Sequence, residues 1–364
     1  MRAAGLSFVG TLCQTLAAPH LRWHTGGGFR LEKRSKCLKQ AASRVLFKPR
    51  KREGSPPFFE KGWINPHDST DCHLRTICTM ANKEGGGSPS SVGPLTIDLC
   101  GKPVPLIGAP GVSESDVKQA VESNVFKQWI KYMTGHNGIL NQGDGVGTRC
   151  SLKKVTIQNV DFFGSRVGFV KFKAEVIDEQ TGAKLPGIVF GRGGAVGILM
   201  LLECEGEKYA ILTEQARVPV GRTLLELPAG MLDSDVGDFV GTAAREIEEE
   251  TGIRIQTADL VDLTALLDDS TGRKMFPSPG GSDEDITLFL YRNHVNKEVI
   301  TSLQGAETGL RDHGELIKVK VVPYSSLWRS TADSKALAAI AIYEMATREG
   351  ILPPAPNAPE LSNL

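Results

Sequence analysis

The segment GMLDSDVGDFVGTAAREIEEETGI, residues 230–253, decides how the rest of the chain is read. Residues three and four apart share a helix face, so a helix over Asp238 to Thr251 projects Glu246, Glu249 and Glu250 from one side. On the other side Val240, Ala243, Ala244 and Ile247 recur at helical spacing and face a core, and Gly252 suits a left-handed helix stop. Three carboxylates on one short face repel one another unless a cation sits between them, and hard oxygen ligands at this density suit Mg²⁺ or Mn²⁺. A Glu run taken alone is more often a solvated acidic face. Here a Leu-Pro-Ala-Gly turn, Leu227 to Gly230, leads into the helix, and Arg245 stands four residues before Glu249, placed to pair with it. That loop-then-helix setting favours a metal site.

These residues resemble the signature of the Nudix hydrolase family, Gly-x5-Glu-x7-Arg-Glu-U-x-Glu-Glu-x-Gly-U, where U is aliphatic. Gly230, Arg245, Glu246, Ile247, Glu249, Glu250, Gly252 and Ile253 fit it. The first Glu is missing and the Gly-to-Arg spacing is one residue too long; the nearest acids are Asp235 and Asp238. The resemblance implies an α/β (α+β) chain with the Nudix fold, a mixed β-sheet sandwiched between helices, preceded by an amino-terminal strand-rich subdomain. It implies metal ligation by Glu246 and Glu250, the family's main ligand positions.

Upstream, EQARVPVGRTLLELPAG (Glu214 to Gly230) is similar to the approach to the signature in the ADP-ribose/ADP-sugar pyrophosphatase branch, including its plant plastid members. There Arg217 matches an Arg that contacts substrate, although Ala216 replaces the usual aromatic, and Ala229 matches a residue whose carbonyl is offered to metal. A diphosphate needs a planar forked donor, which Arg217 supplies. Glu226 reads equally as a buried acid tying the loop or a substrate contact. Downstream, FPSPGGSDE (Phe276 to Glu284) is similar to a Ser-Pro-Gly-Gly segment of the same branch, and its prolines and glycines shape a loop over a site. Glu284 is then a candidate for substrate or water contact, with an exposed loop acid of equal weight. Glu315, in Asp312-His313-Gly314-Glu315, matches an acid that completes the metal site or acts as base.

The chemistry this implies is Mg²⁺-dependent hydrolysis of a nucleoside diphosphate sugar such as ADP-glucose or ADP-ribose. Glu246 and Glu250 gather the metal, with Glu249, the Ala229 carbonyl and Glu315 contributing; Arg217, Glu226 and Gly230 line the substrate side. Glu315, ahead of Glu284 and His313, orients or deprotonates water, which makes Glu249, Glu315 and Glu284 the catalytic candidates. The resemblance also implies a homodimer, with Val155 to Val176 contributing to the interface. The alternatives are a Nudix hydrolase of another nucleotide (a dinucleotide, an oxidised nucleotide or capped RNA) and a non-catalytic nucleotide-binding module.

Charge is distributed unevenly. The 364 residues carry 42 Lys and Arg against 42 Asp and Glu, but residues 1–52 hold twelve of the basic residues and one acid, Glu32. The remainder is therefore acidic, which argues against a nucleic-acid groove, and no apolar run spans a membrane. Basic, acid-poor and dotted with Ser, Thr and Ala, residues 1–52 read as an organelle transit peptide; plastid is expected, with mitochondrion, or cytosol through a start at Met80, as alternatives. Residues 53–93 read as a disordered linker, 94–180 as a strand-rich dimerisation subdomain, 181–350 as the hydrolase domain and 351–364 as a disordered tail. Seven cysteines without paired spacing argue for free thiols in a reducing compartment.

A capping box at Ser113 and Asp116 opens one helix carrying Val117, Val121, Val125, Trp129 and Met133 to its end at Gly135. Strands follow over Val155 to Phe163, Val167 to Ile177, Gly187 to Phe190, Ala195 to Leu202 and Tyr209 to Thr213, then Ile286 to Tyr291 and Leu316 to Val322. Gly191, Gly193 and Gly194 mark a bend rather than a phosphate loop, since no Gly-Lys-Ser/Thr follows. A last helix over about Asp333 to Arg348 presents Leu337, Ile340, Ile342 and Met345 for packing.

Overall fold

The computed structural model describes residues 75–77, 95–99, 101–141, 150–232, 239–309 and 316–355, all within the compact unit Asp68–Leu364. The transit-peptide segment, Met80, His313 and Glu315 lie outside the described residues, as do residues 356–364 of the tail and all of the linker except Arg75–Ile77.

Six strands form the first sheet, in the order β1 (Arg75–Ile77), β2 (Thr96–Leu99), β3 (Lys102–Gly108), β4 (Cys150–Phe163), β5 (Arg166–Asp178) and β6 (Ile188–Gly191). The short strand β1 falls inside the segment read as linker and pairs antiparallel with β2. Long alternating runs in β4 and β5 pair with three register shifts, and Val155, Ile157, Val170, Phe172, Ala174 and Val176 supply one buried face.

That face is covered by two helices where one was expected, α1 (Glu114–Glu122) and α2 (Asn124–Thr134). Ser123 explains the break. Its extended backbone ends α1, and its hydroxyl accepts from the Phe126 amide as the cap of α2. The capping box of α1 forms as expected from Ser113 and Asp116. Phe126, Trp129 and Phe172 meet with ring centroids 4.7–5.5 Å apart, the aromatic centre of this core.

The chain leaves β6 through Gly191 to Gly194 and enters the second sheet. Its order is β11 (Leu260–Asp262), β12 (Ile286–His294), β7 (Ala195–Cys204), β8 (Glu207–Arg217), β14 (Ile317–Pro323) and β13 (Glu307–Thr308); β9 (Arg222–Glu226) pairs with β8 and β10 (Ala229–Met231) with β7. β12 and β7 are parallel and the other pairs antiparallel, so the sheet is mixed.

β7 is buried almost throughout because both of its faces are covered. Val196, Ile198, Met200 and Leu202 pack with Ala243 and Ile247 of α3 (Phe239–Thr251), and with Leu303 of α4 (Lys297–Leu303). Leu199 and Leu201 pack with Leu327 of α5 (Tyr324–Ser330) and with Ala336, Ala339 and Tyr343 of α6 (Ser334–Glu349). The α6 contact keeps Ile340 and Ile342 of the expected packing residues, partly buried, but not Leu337 and Met345. Small residues let the helix lie close to the sheet, while Leu337 and Met345 are exposed. The side chains of Cys150 and Cys204 are buried, and no helix among the described residues is long and apolar enough to cross a membrane.

Candidate active site

α3 delivers its carboxylates to the end of the second sheet where β7 begins and β10 pairs with it. Gly252 stops the helix at φ +75°, with its amide donating to the Glu248 carbonyl. The run Glu248 to Glu250 then parts company. Glu248 is exposed and paired with Arg254 at 2.6 Å, the solvated role expected of most Glu runs. Glu249 keeps about a third of its side chain in solvent and stands 3.9 Å from Arg245. Glu250 is only 6% exposed.

Two donors hold Glu250. The Gln215 amide donates to Oε1 at 3.0 Å and the Ala229 backbone N–H to Oε2 at 3.1 Å. Burial outweighs both bonds, and with Glu246 close by it pushes the Glu250 carboxyl up to about 8. Glu246 lies against the backbone of Gly230, where a Cβ would stand 1.9 Å from its carboxyl carbon. Gly230 thus leaves room for the Glu246 side chain, and it is not among the positive-φ glycines. The Thr308 hydroxyl donates to the Glu250 carbonyl and the Gly309 amide to that of Glu249, tying β13 to the end of α3.

Arg217, at the end of β8, forks onto Glu226, with Nε donating to Oε1 at 2.6 Å and Nη2 to Oε2 at 3.3 Å. Lys335 donates to the same Oε2 at 2.9 Å and pairs with Asp333 at 3.0 Å. Burial pushes the Glu226 carboxyl up, but Arg217 and Lys335 together hold it below the ordinary carboxylate range. Asp333 also caps α6 and accepts from the Leu227 amide, so the turn before α6 fixes the link between β9 and β10. Glu226 is therefore the buried tie of the loop, and Arg217, with 41% of its side chain exposed, is oriented by it.

Lys335 and Asp333 were missed by sequence reasoning. Asp333 carried only the signal of a helix cap, and nothing local announces that its free oxygen meets a strand over a hundred residues earlier.

Glu284 stands 3.3 Å from Arg192 Nη1. Asp283 beside it accepts from the Arg192 and Gly193 amides, and the Phe190 amide donates to the Gly281 carbonyl. The Ser-Pro-Gly-Gly loop is thereby fastened to the bend between the two sheets.

Comparison with known proteins identifies the family. A NUDIX domain matches residues 191–341. The chain is similar to Nudix hydrolase 14, chloroplastic, of Arabidopsis thaliana, at 57% identity over 251 residues covering 69% of this chain and 80% of the relative. The chain belongs to the Nudix hydrolase family. It is also 31% identical over 140 residues (38% of this chain, 66% of the relative) to an ADP-ribose pyrophosphatase of Bacillus subtilis. A methanol dehydrogenase activator of Bacillus methanolicus is 29% identical over 152 residues, covering 42% and 73%. Nudix membership makes hydrolysis of nucleotide diphosphates the chemistry to be explained, and the mixed sheet between helices is the Nudix fold.

Nudix hydrolases generally use divalent metals such as Mg²⁺. Among the described residues no three acidic, His or Cys side chains converge into a ready metal cage. Glu246 and Glu250 nonetheless fit one half of such a site. Both are oxygen donors one helical turn apart on α3, burial outweighs the pull of Arg217 on the Glu250 carboxyl, and the missing Cβ of Gly230 leaves the Glu246 carboxylate its place.

Proposed function

We propose that the chain hydrolyses the diphosphate of ADP-sugars, ADP-glucose or ADP-ribose, to AMP and a sugar phosphate. The observation that carries this reading is the pairing of Glu246 against Gly230 with buried Glu250, beside an Arg217 that Glu226 holds in a fixed plane. The name of the Bacillus subtilis relative supports an ADP-sugar over other nucleotides.

Mg²⁺ or Mn²⁺ held by Glu246, Glu250 and the Ala229 carbonyl, with Glu249 and Glu315 contributing, would offset the phosphate charge and make water nucleophilic near neutral pH. Arg217 spends two of its five N–H groups on Glu226 and keeps the others for phosphate oxygens. Glu226, itself held by Lys335, keeps the guanidinium from turning away. Glu315 takes or orients the proton of the attacking water; Glu284, turned toward Arg192, is the weaker base and serves the loop that covers the sugar.

The site works in a homodimer built through the amino-terminal strands. Exposed Phe162, Phe163, Ile188 and Phe190, with the Phe163–Phe169–Phe190 ring cluster, offer the first sheet an apolar patch for a second copy. Residues 1–52 direct the chain to the plastid, a reading supported by the chloroplastic Arabidopsis relative.

The experiment is product formation by the full chain from ADP-glucose, ADP-ribose and NADH, each with and without Mg²⁺. Metal-dependent AMP release, fastest from an ADP-sugar, is the expected result. A folded protein that releases no AMP from any of them overturns the proposal.

A further inference from the structure

The metal-bearing helix begins in a place where this chain departs from the family signature, with no first Glu and one extra residue between Gly230 and Arg245. A lysine from a distant part of the chain packs on the start of α3. Lys274 lies there, with its ammonium 3.9 Å from the centre of the Phe239 ring, and Phe239 is the first residue of the helix. The same ammonium pairs with Asp285 Oδ2 at 3.0 Å and donates to Thr287 Oγ1 at 2.9 Å. Two acceptors and an aromatic face thus surround a lysine whose side chain is 20% exposed.

Asp285 extends the contact toward Leu232. It is 2% exposed, and its carbonyl accepts from the Ala195 amide. A Cβ added at Gly194 would stand 3.0 Å from Asp285 Oδ1 and 2.9 Å from Leu232 Cδ1, so the carboxylate and Leu232 converge on that glycine. Leu232 in turn donates its amide to the Gly194 carbonyl at 3.1 Å. Lys274 is held from behind by paired backbone bonds between Met275 and Ile286. One ion pair therefore reaches both Leu232, through Gly194, and Phe239, through the ammonium.

We propose that Lys274 and Asp285 are positioning residues that set the start of α3, and through it the separation of Glu246 from Gly230, for metal binding. This rests on the reading of Glu246 and Glu250 as metal ligands. A helix whose first turn is loose keeps its ligands but has to order them when the cation arrives. The defect therefore falls on metal affinity rather than on turnover at saturating metal. Partners that orient ligands from outside the metal's own shell are worth about 10- to 100-fold in affinity.

Two variants test it in the full chain. Phe239→Leu removes the ring and keeps an apolar residue. Lys274→Met with Asp285→Asn removes the ion pair without leaving a buried charge unpaired. Mn²⁺ binding is read by electron paramagnetic resonance, alongside the Mg²⁺ concentration that half-saturates activity. Each variant is expected to bind Mn²⁺ about tenfold more weakly or worse, to shift the Mg²⁺ requirement equally, and to keep kcat at saturating Mg²⁺ within about twofold. Lys274→Arg, which keeps the charge and the stacking, is expected to recover most of the affinity. Wild-type Mn²⁺ affinity in a folded Phe239→Leu protein overturns the inference, and this variant decides alone where the double variant does not fold. Failure of the wild-type protein to bind Mn²⁺ would instead remove the metal site itself.

Discussion

Glu250→Gln separates the electrostatic cost of the site from its fold. The native carboxylate accepts from Gln215 and from the Ala229 amide. A glutamine of the same shape keeps its carbonyl for Ala229 and turns its NH₂ toward Gln215, whose own amide can flip to accept. The packing survives and one charge is gone. The Glu250 carboxyl is pushed from the ordinary 4.5 up to about 8, first by burial and then by Glu246. Its folded value lies above its unfolded value, so the folded protein holds a proton that the unfolded chain has shed. The stability this gives is complete below about 4.5 and is lost as pH rises through about 8. At roughly 1.4 kcal/mol per pKa unit, the ionised group costs the metal-free protein on the order of a few kcal/mol at pH 8.

Denaturant unfolding in EDTA at pH 5 and pH 8 measures it. Wild type should lose a few kcal/mol more than the Gln variant across that interval, and Mg²⁺ or Mn²⁺ should restore stability to wild type alone. Turnover of Glu250→Gln should fall by about 10² or more, the scale for losing one preorganised electrostatic group. Parallel pH dependences in the two proteins would refute the argument that Glu250 is a buried anion awaiting a cation.

Other substitutions probe the remaining parts. Gly230→Ala puts a Cβ 1.9 Å from the Glu246 carboxyl carbon and should cut kcat/KM about 100-fold by displacing that ligand, measured by AMP release; near-normal rates would remove Glu246 from the site. Arg217→Lys loses the fork and should lower kcat/KM by about 10- to 100-fold, matching the loss of 1.5–3 kcal/mol for a charged hydrogen bond. An unchanged value would leave Arg217 a structural partner of Glu226. Glu284→Gln should cost less than about tenfold, since a general base contributes 10² or more; a larger loss with normal substrate affinity would promote it to base. Phe163→Ser with Phe190→Ser should convert a dimer to monomers in sedimentation, and an unaltered assembly would move the interface elsewhere.

The signature was legible because its constraints are local. Glu246 and Glu250 sit four residues apart and Gly252 needs a positive φ, so helical periodicity and glycine stereochemistry reveal them without any knowledge of the fold. Gly230 was legible only as part of a pattern; its reason, the Glu246 carboxylate against its Cα, exists only once α3 folds back on β10. Lys335, Asp333, Lys274 and Asp285 gave no such signal. Each acts on a partner brought close by the sheet, and a lysine or aspartate in isolation reads as surface charge. The apolar stripe from Val117 to Met133 is buried in the first core, and the break at Ser123 was hidden because its side chain both ends one helix and starts the next. In α6 the large apolar residues drew attention away from Ala336, Ala339 and Ala346, whose small size is what allows the close approach.

The most direct test of the account is crystallographic. Crystals of the full chain soaked in Mn²⁺ should show an anomalous peak between the carboxylates of Glu246 and Glu250, within coordination distance of the Ala229 carbonyl. A protein that hydrolyses its substrate only with metal, yet places the peak away from both glutamates, would contradict it.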